Sequence, residues 1–578
     1  MLGRPVEARL QQFPMADKGM PSGGGSPGKG LDAQKQQLEN NRHGTHFVRT
    51  RLPDAMPNEK TFQIITDKDQ REAVSSDSAG YPGGHTPELV LLYPESGEAE
   101  VAEILRNSFS VVPRGAGSSL TGGVTPFGEV VIDMSPRNRI VARGEDWITV
   151  QTGITLRALQ EELAAKNKYY PPGPTYDGAT VGGMISTNAA GAATFKYGQT
   201  RPWVEALKVV LATGEVLEME RGQYLAHPDG YFEMEGPARK RRIDVPTYTM
   251  PDVPKSSAGY YAKPGMDFLD FFIGSEGTLG VITEATLRVI PKPFITWALV
   301  PCQSEEQAIE LTRRLRNQSL ETRRTQNPRG IDASGIEYID PNSLQLLRED
   351  SKNRREITPP LDAKALLLIQ MEMSPELTNR AYEDIAHSFE PGAPDVPMVR
   401  LARELERLGL FDRTELALSG DPRIKQFEDM REAVPVGVNS RISKNKHQDP
   451  RISKMAADMI VPFENLQEML RLFREKFDEK GMQVFIWGHA SDGNVHPNVI
   501  PNSYEEYKLA QQVILECGQA VIAMGGSPLA EHGVGRNPIK QELLEKLYGT
   551  EGIEQMRAVK KTLDPEWKLA PGNLFRKP

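Results

Sequence analysis

The chain runs to 578 residues, more than one hydrophobic core accommodates; length alone suggests about three or four domains, and since large mixed α/β folds run bigger, about two or three are expected. A formal charge of −9 supplies no basic face for a phosphate backbone and argues against nucleic acid as the main partner. The two cysteines, Cys302 and Cys517, lack CxxC spacing, which excludes a disulfide framework, a cysteine zinc cluster and a cysteine-ligated iron–sulfur centre, and fits a reducing, cytoplasmic setting.

Residues 1 to about 45 are poor in apolar side chains and include "PSGGGSPGKG", the composition of a flexible tail. From Glu88 onward, "ELVLLY" reads as a strand. "SGEAEVAEILRNS" has helical apolar spacing at Val101, Ile104 and Leu105, and "SVVP" reads as a second strand, giving a β-α-β opening. "GEVVIDM" and "WITVQTG" continue as strands and "TLRALQEELAAKN" as a helix. "VEALKVVLATGEVLEM" reads as a hairpin turning at Thr213-Gly214. Residues 220–254, rich in Pro, Gly, Tyr and charge, read as an insertion, and the run Arg239-Lys240-Arg241-Arg242 within it as a solvated loop. "GVITEATLRVIP" is a further strand, and Pro291 and Pro293 mark a boundary. Beyond them helical and strand patterns alternate, as expected of a separate α+β domain. No apolar run approaches the ~20 residues that span a bilayer, and no signal-peptide core is seen at the N-terminus.

"VVPRGAGSSLTGG" (111–123) is rich in glycine, so its backbone N–H groups can turn toward an anion. A dinucleotide-binding fingerprint fails, because Leu120 stands three residues after Gly117 and no helix follows. A P-loop fails too, because Gly122-Gly123-Val124 offers neither lysine nor hydroxyl. A glycine-rich hairpin is the plain alternative for this run alone. Two further small-residue runs, "ATVGGMISTNAAGAATFKYG" (179–198) and "IGSEGTLGVITE" (273–284), together imply an extended cofactor lying across the first domain.

Near the end, "WGHASDGNVHPN" (487–498) places His489 and His496 around a turn-forming Ser-Asp-Gly-Asn, after the strand-like "MQVFIWG". "LAEHGVGRN" follows with Glu531 and His532 adjacent. Two histidines and a carboxylate suit an open divalent-metal site. No HExxH-like register fixes the geometry, so spacing alone leaves metal ligation, acid–base chemistry and ordinary loop polarity open.

In order, "PRGAGSSLTGG", "TVGGMISTNAAG" with "KYG", and "GSEGTLGVITE" resemble the FAD-binding domain of the vanillyl-alcohol oxidase / p-cresol methylhydroxylase superfamily. The resemblance covers roughly residues 80–578 and is closest to the D-lactate, glycolate and D-2-hydroxyglutarate dehydrogenase branch. It implies an α+β fold: an FAD-binding domain (46–292) of two α+β subdomains, an α+β cap with an antiparallel sheet (293–545), and a segment (546–578) returning to the FAD domain. The implied FAD contacts are Pro113, Arg114, Gly115, Ala116, Gly117, Ser118, Ser119, Thr121 and Gly122 around the diphosphate. They continue with Pro172, Thr180, Gly182, Gly183, Ser186, Asn188, Gly191, Tyr197, Gly198, Glu276, Gly277, Val281, Ile282 and Asn573. Neither Cys nor His sits in these loops, so FAD is expected to bind non-covalently. Gly173 stands where the family often has aspartate.

In the same branch a HxGDGNxH run and a later EHG carry the metal ligands and the base. The resemblance therefore implies that His489, His496 and Glu531 hold zinc or manganese and that His532 is the general base; Ser491 departs from the family's glycine. It also implies Arg431 and Lys454 as substrate-binding cations. The stretch between them is longer and more basic than expected, and the region 439–454 reads either as an exposed loop or as a site for a second anionic group. The expected activity is oxidation of a D-2-hydroxy acid, with hydride passing to flavin and a histidine taking the hydroxyl proton. Electrons then leave to a separate redox protein, quinone or cytochrome, in the cytoplasm or peripherally at a membrane through that acceptor; a homodimer is compatible. Two alternatives are a non-redox transferase like alkylglycerone-phosphate synthase, whose run of consecutive histidines this chain lacks, and an idle flavin-binding subunit, against which His532 counts.

Overall fold

The computed structural model describes residues 44–54, 62–78, 80, 86–237, 240–351 and 359–577. The expected tail lies outside them up to residue 43, as does Arg239. The β-α-β opening forms a four-stranded sheet in the order Phe62–Ile65, Glu88–Leu92, Val130–Asp133, Val111–Arg114, whose last three strands are parallel. Helix Glu98–Asn107 crosses it and buries Val101, Ile104 and Leu105, the apolar face predicted by the helical period. Glu100 caps the helix by accepting the Gly97 N–H at 2.7 Å.

A second, antiparallel sheet runs Val216–Glu220, Val204–Val210, Val281–Arg288, Trp147–Gln151, Ile140–Arg143. It contains the expected hairpin, with Val210 opposite Val216 and Gly214 at φ +78°. The insertion adds strands Tyr231–Glu235 and Lys240–Asp244, the former pairing with Phe47–Arg49. The basic run is corrected here: Lys240, Arg241 and Arg242 lie in a strand, not a solvated loop. Strand alternation turns Lys240 and Arg242 outward and buries Arg241, whose guanidinium is ion-paired with the Glu215 carboxylate.

The cap is built on one antiparallel sheet, ordered Glu415–Ala417, Phe294–Cys302, Ala365–Met373, Ala333–Ile339, Val484–His489, Asn494–Val499, Met455–Ala456. Helices cover both faces, so its central strands bury apolar side chains on both sides: Ala298 and Val300 join one core, Trp297 and Leu299 the other. The 439–454 stretch is also corrected: helix Arg423–Gln448 runs through its first half, and only residues beyond Gln448 leave it. That helix packs on the sheet through Phe427, Met430 and Val434.

After helix Pro538–Leu563 the chain turns back along the first sheet. The Val111 N–H donates to Lys568 O and the Ala570 N–H to Val111 O, each at 2.7 Å. The buried Lys560 ammonium ties this return by donating to Thr278 O and Leu569 O and pairing with Asp564. Among the described residues no helix is long and apolar enough to cross a membrane.

Candidate active site

Between the two FAD-domain sheets and the cap lies a cleft enclosing about 1470 Å³, its open mouth included. Its walls include the 113–121 loop, helix Val181–Ser186 with its cap Thr180, residues 276–282, and Asn573 from the returning C-terminus. Close approach explains the glycines. A Cβ at Gly115 would stand 2.0 Å from Thr180 Oγ1, and one at Gly117, at φ +72°, would stand 2.1 Å from the Arg114 guanidinium. A cradle this free of side chains fits a large flat cofactor with a diphosphate.

Of the implied cofactor residues, Pro113, Arg114, Gly115, Ala116, Gly117, Ser118, Ser119, Thr121, Thr180, Gly182, Gly183, Ser186, Glu276, Gly277, Val281, Ile282 and Asn573 line this cleft. Gly122, Pro172, Asn188, Gly191, Tyr197 and Gly198 do not. The Gly122 N–H is held by Asp77 at 2.6 Å, and Asn188 accepts the Arg201 N–H at 3.0 Å. Gly191 packs where a Cβ would sit 2.0 Å from Gly173 O. Tyr197 faces the cap, its hydroxyl donating to Glu372. Pro174, Thr175 and Tyr176 line the wall in place of Pro172, and Thr152 and Met134 join without a sequence signal.

The two histidines of the 487–498 run meet because of strand register. Trp487 pairs with His496 and His489 with Asn494, so His489, Asn494 and His496 project from one face of the hairpin. The next strand puts Glu337 directly opposite His489. Gly493 makes the turn at φ +81°, with Val461 O 2.3 Å from where a Cβ would be. Ser491 sits in the preceding 3-10 turn, where its hydroxyl accepts the Ile336 N–H at 3.1 Å and its carbonyl accepts from Arg316. The departure from glycine at 491 is therefore accommodated, because the left-handed residue is Gly493.

Glu531 and His532 arrive on an irregular loop whose backbone N–H groups are each claimed by a side chain. Asp458 accepts from Glu531 and His532 at 2.7 and 2.8 Å, Ser257 from Gly533 at 3.1 Å, and Glu276 from Val534 and Gly535 at 2.7 Å each. Three imidazoles then converge on one oxygen: Glu531 Oε1 lies 3.3 Å from His489 Nε2, 3.3 Å from His496 Nε2 and 3.5 Å from His532 Nε2. Each opposite ring nitrogen faces a carboxylate, Glu337 for His489 (2.8 Å) and Asp458 for His496 and His532 (3.3 Å each). A carboxylate behind Nδ1 favours the tautomer that leaves the Nε2 lone pair available, the outer-shell pattern of metal-ligating histidine. This donor set fits a divalent cation. Asp458, His496, Glu531 and His532 are also mutually close, but Asp458 already holds two backbone N–H groups and the Asn494 amide. Its role is that of a brace.

Charge is dense and buried here. Burial opposes ionisation of Glu531, yet Lys255 and His489 hold it well below the usual carboxylate range; Asp458 is lowered against burial by His532 and His496. Burial also opposes protonation of His489, but Glu337 outweighs it and raises the ring to about 10. His532 goes the other way: burial lowers it to about 4 despite Asp458. Its side chain, 33% exposed, lines the cleft, whereas His489 and His496 are enclosed.

Helix Arg423–Gln448 brings Arg431 Nη1 to 3.7 Å from Glu337, with its Nε buried and without a hydrogen-bond partner among the described residues. Lys454 precedes the strand that pairs with Asn494–Val499; burial lowers its ammonium to about 8. Sequence reasoning missed Lys255, Glu337, Asp458 and Asn494. A single carboxylate inside the apolar runs "SGIEYI" and "AADMIVP" was the available signal, since a buried charge needs a partner.

A glycine-walled cofactor cleft meeting a histidine–carboxylate cluster beneath a separate antiparallel cap is the plan of a flavin-dependent enzyme. Residues 89–220 match the family "FAD binding domain" and residues 294–574 match "FAD linked oxidases, C-terminal domain". The chain belongs to the FAD-linked oxidases, within the p-cresol methylhydroxylase-type superfamily. It is 28% identical to a glycolate oxidase subunit GlcD of Bacillus subtilis (81% of this chain, 84% of that one). It is 26% identical to a D-lactate dehydrogenase of Anaerostipes hadrus (89% and 95%). A mitochondrial D-lactate dehydrogenase [cytochrome] of Arabidopsis thaliana is 27% identical (89% and 78%). Among solved structures, an alkyldihydroxyacetonephosphate synthase shares the fold with TM-score 0.54 at 17% identity, over 90% of this chain and 83% of that one.

Proposed function

We propose that the chain is an FAD- and metal-dependent dehydrogenase oxidising a D-2-hydroxy acid such as D-lactate, glycolate or D-2-hydroxyglutarate to the 2-oxo acid. The observation that carries this reading is the convergence of three imidazole Nε2 atoms on Glu531 Oε1 at the edge of the cofactor cleft. Relatives named for glycolate and D-lactate oxidation support the substrate class.

His489, His496 and Glu531 would hold zinc or manganese, which would supply a Lewis acid for the substrate hydroxyl. Bound FAD would supply the acceptor for the hydride leaving the α-carbon. His532, neutral at pH 7 and open to the cleft, takes the hydroxyl proton on Nε2 while Asp458 steadies its Nδ1. The Arg431 guanidinium receives the substrate carboxylate, and Lys454 offers a second cation. The two electrons then pass to a separate redox protein, quinone or cytochrome.

Chelation followed by metal readdition tests the assignment. Turnover of the 2-hydroxy acid should be lost on chelation and return with zinc or manganese while flavin stays bound. Turnover that survives complete metal removal contradicts the metal assignment, whereas metal- and flavin-loaded protein that oxidises no 2-hydroxy acid leaves the non-redox transferase alternative standing.

A further inference from the structure

The strongest unassigned group is a lysine with no exposed surface. Lys255 lies on the loop after the insertion, and its ammonium faces Glu531 Oε2 at 2.9 Å, Asn494 Oδ1 at 3.2 Å and Asp492 Oδ2 at 3.2 Å. An ammonium carries three N–H donors, and here three acceptors surround it. Two of them belong to the hairpin turn that carries His489 and His496, and the third to the loop that carries Glu531. We infer that Lys255 is a positioning residue for the metal site, pinning the His489/His496 hairpin to the Glu531 loop and fixing which Glu531 oxygen faces the three imidazoles.

Several observations make this more than a buried ion pair. Lys255 occupies Glu531 Oε2, so Oε1 alone turns toward the histidines. Asn494 is locked in the matching orientation, its amide donating to Asp458 and Met459 O while its carbonyl accepts from Lys255. Lys255 is the foremost cation acting on the buried Asp492 carboxylate, so removing it takes away that carboxylate's main partner. The neighbouring Ser256 and Ser257 bind both sides: Ser256 O accepts from Asn188 and Gln199 beside the cofactor segments, and Ser257 accepts the Gly533 N–H. Lys255 does not line the cofactor cleft. The inference rests on the metal reading above.

An electrostatic and a geometric effect compete. Losing a positive charge favours a dication nearby, whereas freeing Glu531 and the hairpin turn disperses the ligands. The geometric effect dominates, because support around metal ligands is worth about 10–100-fold in affinity. Calorimetric titration of metal-stripped, flavin-loaded protein with zinc or manganese should show Lys255→Met binding about 10–100-fold more weakly than wild type, with flavin content unchanged. K255M/D492N keeps the net charge of the site and is expected to bind more weakly as well; it is the variant to read if K255M alone does not fold. Wild-type affinity or tighter in the folded variants overturns the positioning role. Wild-type protein that takes up neither metal overturns the metal reading itself, so the two failures are distinguishable.

Discussion

His532 and His489 sit within one cluster yet titrate in opposite directions, and each direction has a consequence. His532 is lowered to about 4 by burial, so its base form is present at neutral pH. His532→Ala should reduce turnover about 10²–10⁴-fold with flavin and metal retained, measured by steady-state kinetics alongside cofactor content. A loss below tenfold would remove it from the role of base. His489 is raised to about 10 by Glu337, against burial, in the metal-free protein. Its folded form binds a proton more tightly than its unfolded form. The resulting stability is complete below pH 6.5, the ordinary histidine value, and is lost as pH rises through 10. Metal must displace that proton and any on His496, which Asp458 and Glu531 raise against burial, so uptake at pH 7 should release at least about one proton per ion and strengthen by at least about tenfold per pH unit. Calorimetry in buffers of different ionisation enthalpy reads this directly, and uptake without proton release would take His489 out of the ligand set.

At the scale of elements, the hairpin between Val484 and Val499 carries the site. Its turn depends on one left-handed glycine. Gly493→Ala adds backbone strain of roughly 1–3 kcal/mol and brings a Cβ against Val461 O. It should lower the unfolding midpoint and weaken metal binding together. Ser491→Gly, which restores the family residue, should cost only about 1 kcal/mol through the lost Ile336 hydrogen bond and leave metal affinity within a few-fold. These elements were legible from sequence because period and turn chemistry are local: the apolar spacing of helix Glu98–Asn107 and the Ser-Asp-Gly-Asn turn needed no tertiary information. Register was not legible. Nothing in "SGIEYI" says that Glu337 lies opposite His489, or that Asp458 closes the cluster from between Met455–Ala456 and Met459–Ile460. The basic runs misled because charge suggests solvent, whereas Arg241 is buried by strand alternation and residues up to Gln448 are helical.

Over the whole molecule, the FAD domain and the cap are joined by specific polar contacts besides those at Lys255 and Glu276. Lys196 pairs with Asp332 and Glu372 at 2.5 Å, and the Tyr197 hydroxyl donates to Glu372. The family resemblance points to Tyr197 as a flavin contact, while its position makes it a link to the cap. Tyr197→Phe should therefore keep its flavin and lower the unfolding midpoint; loss of flavin would restore the first reading. The three glycine runs pointed to an extended cofactor, because close approach demands small residues that sequence shows directly, and the family resemblance they carry made that cofactor FAD. The histidine–carboxylate cluster is harder to see, being assembled from residues 337, 458, 489, 496, 531 and 532, which only the folded chain brings together. Anaerobic flavin spectroscopy is the most direct measurement of the central claim. Absorbance near the flavin maximum should bleach on adding D-lactate, glycolate or D-2-hydroxyglutarate to the metal-loaded protein, and should not bleach with L-lactate or L-2-hydroxyglutarate. A protein that stays oxidised with every D-2-hydroxy acid would contradict the account.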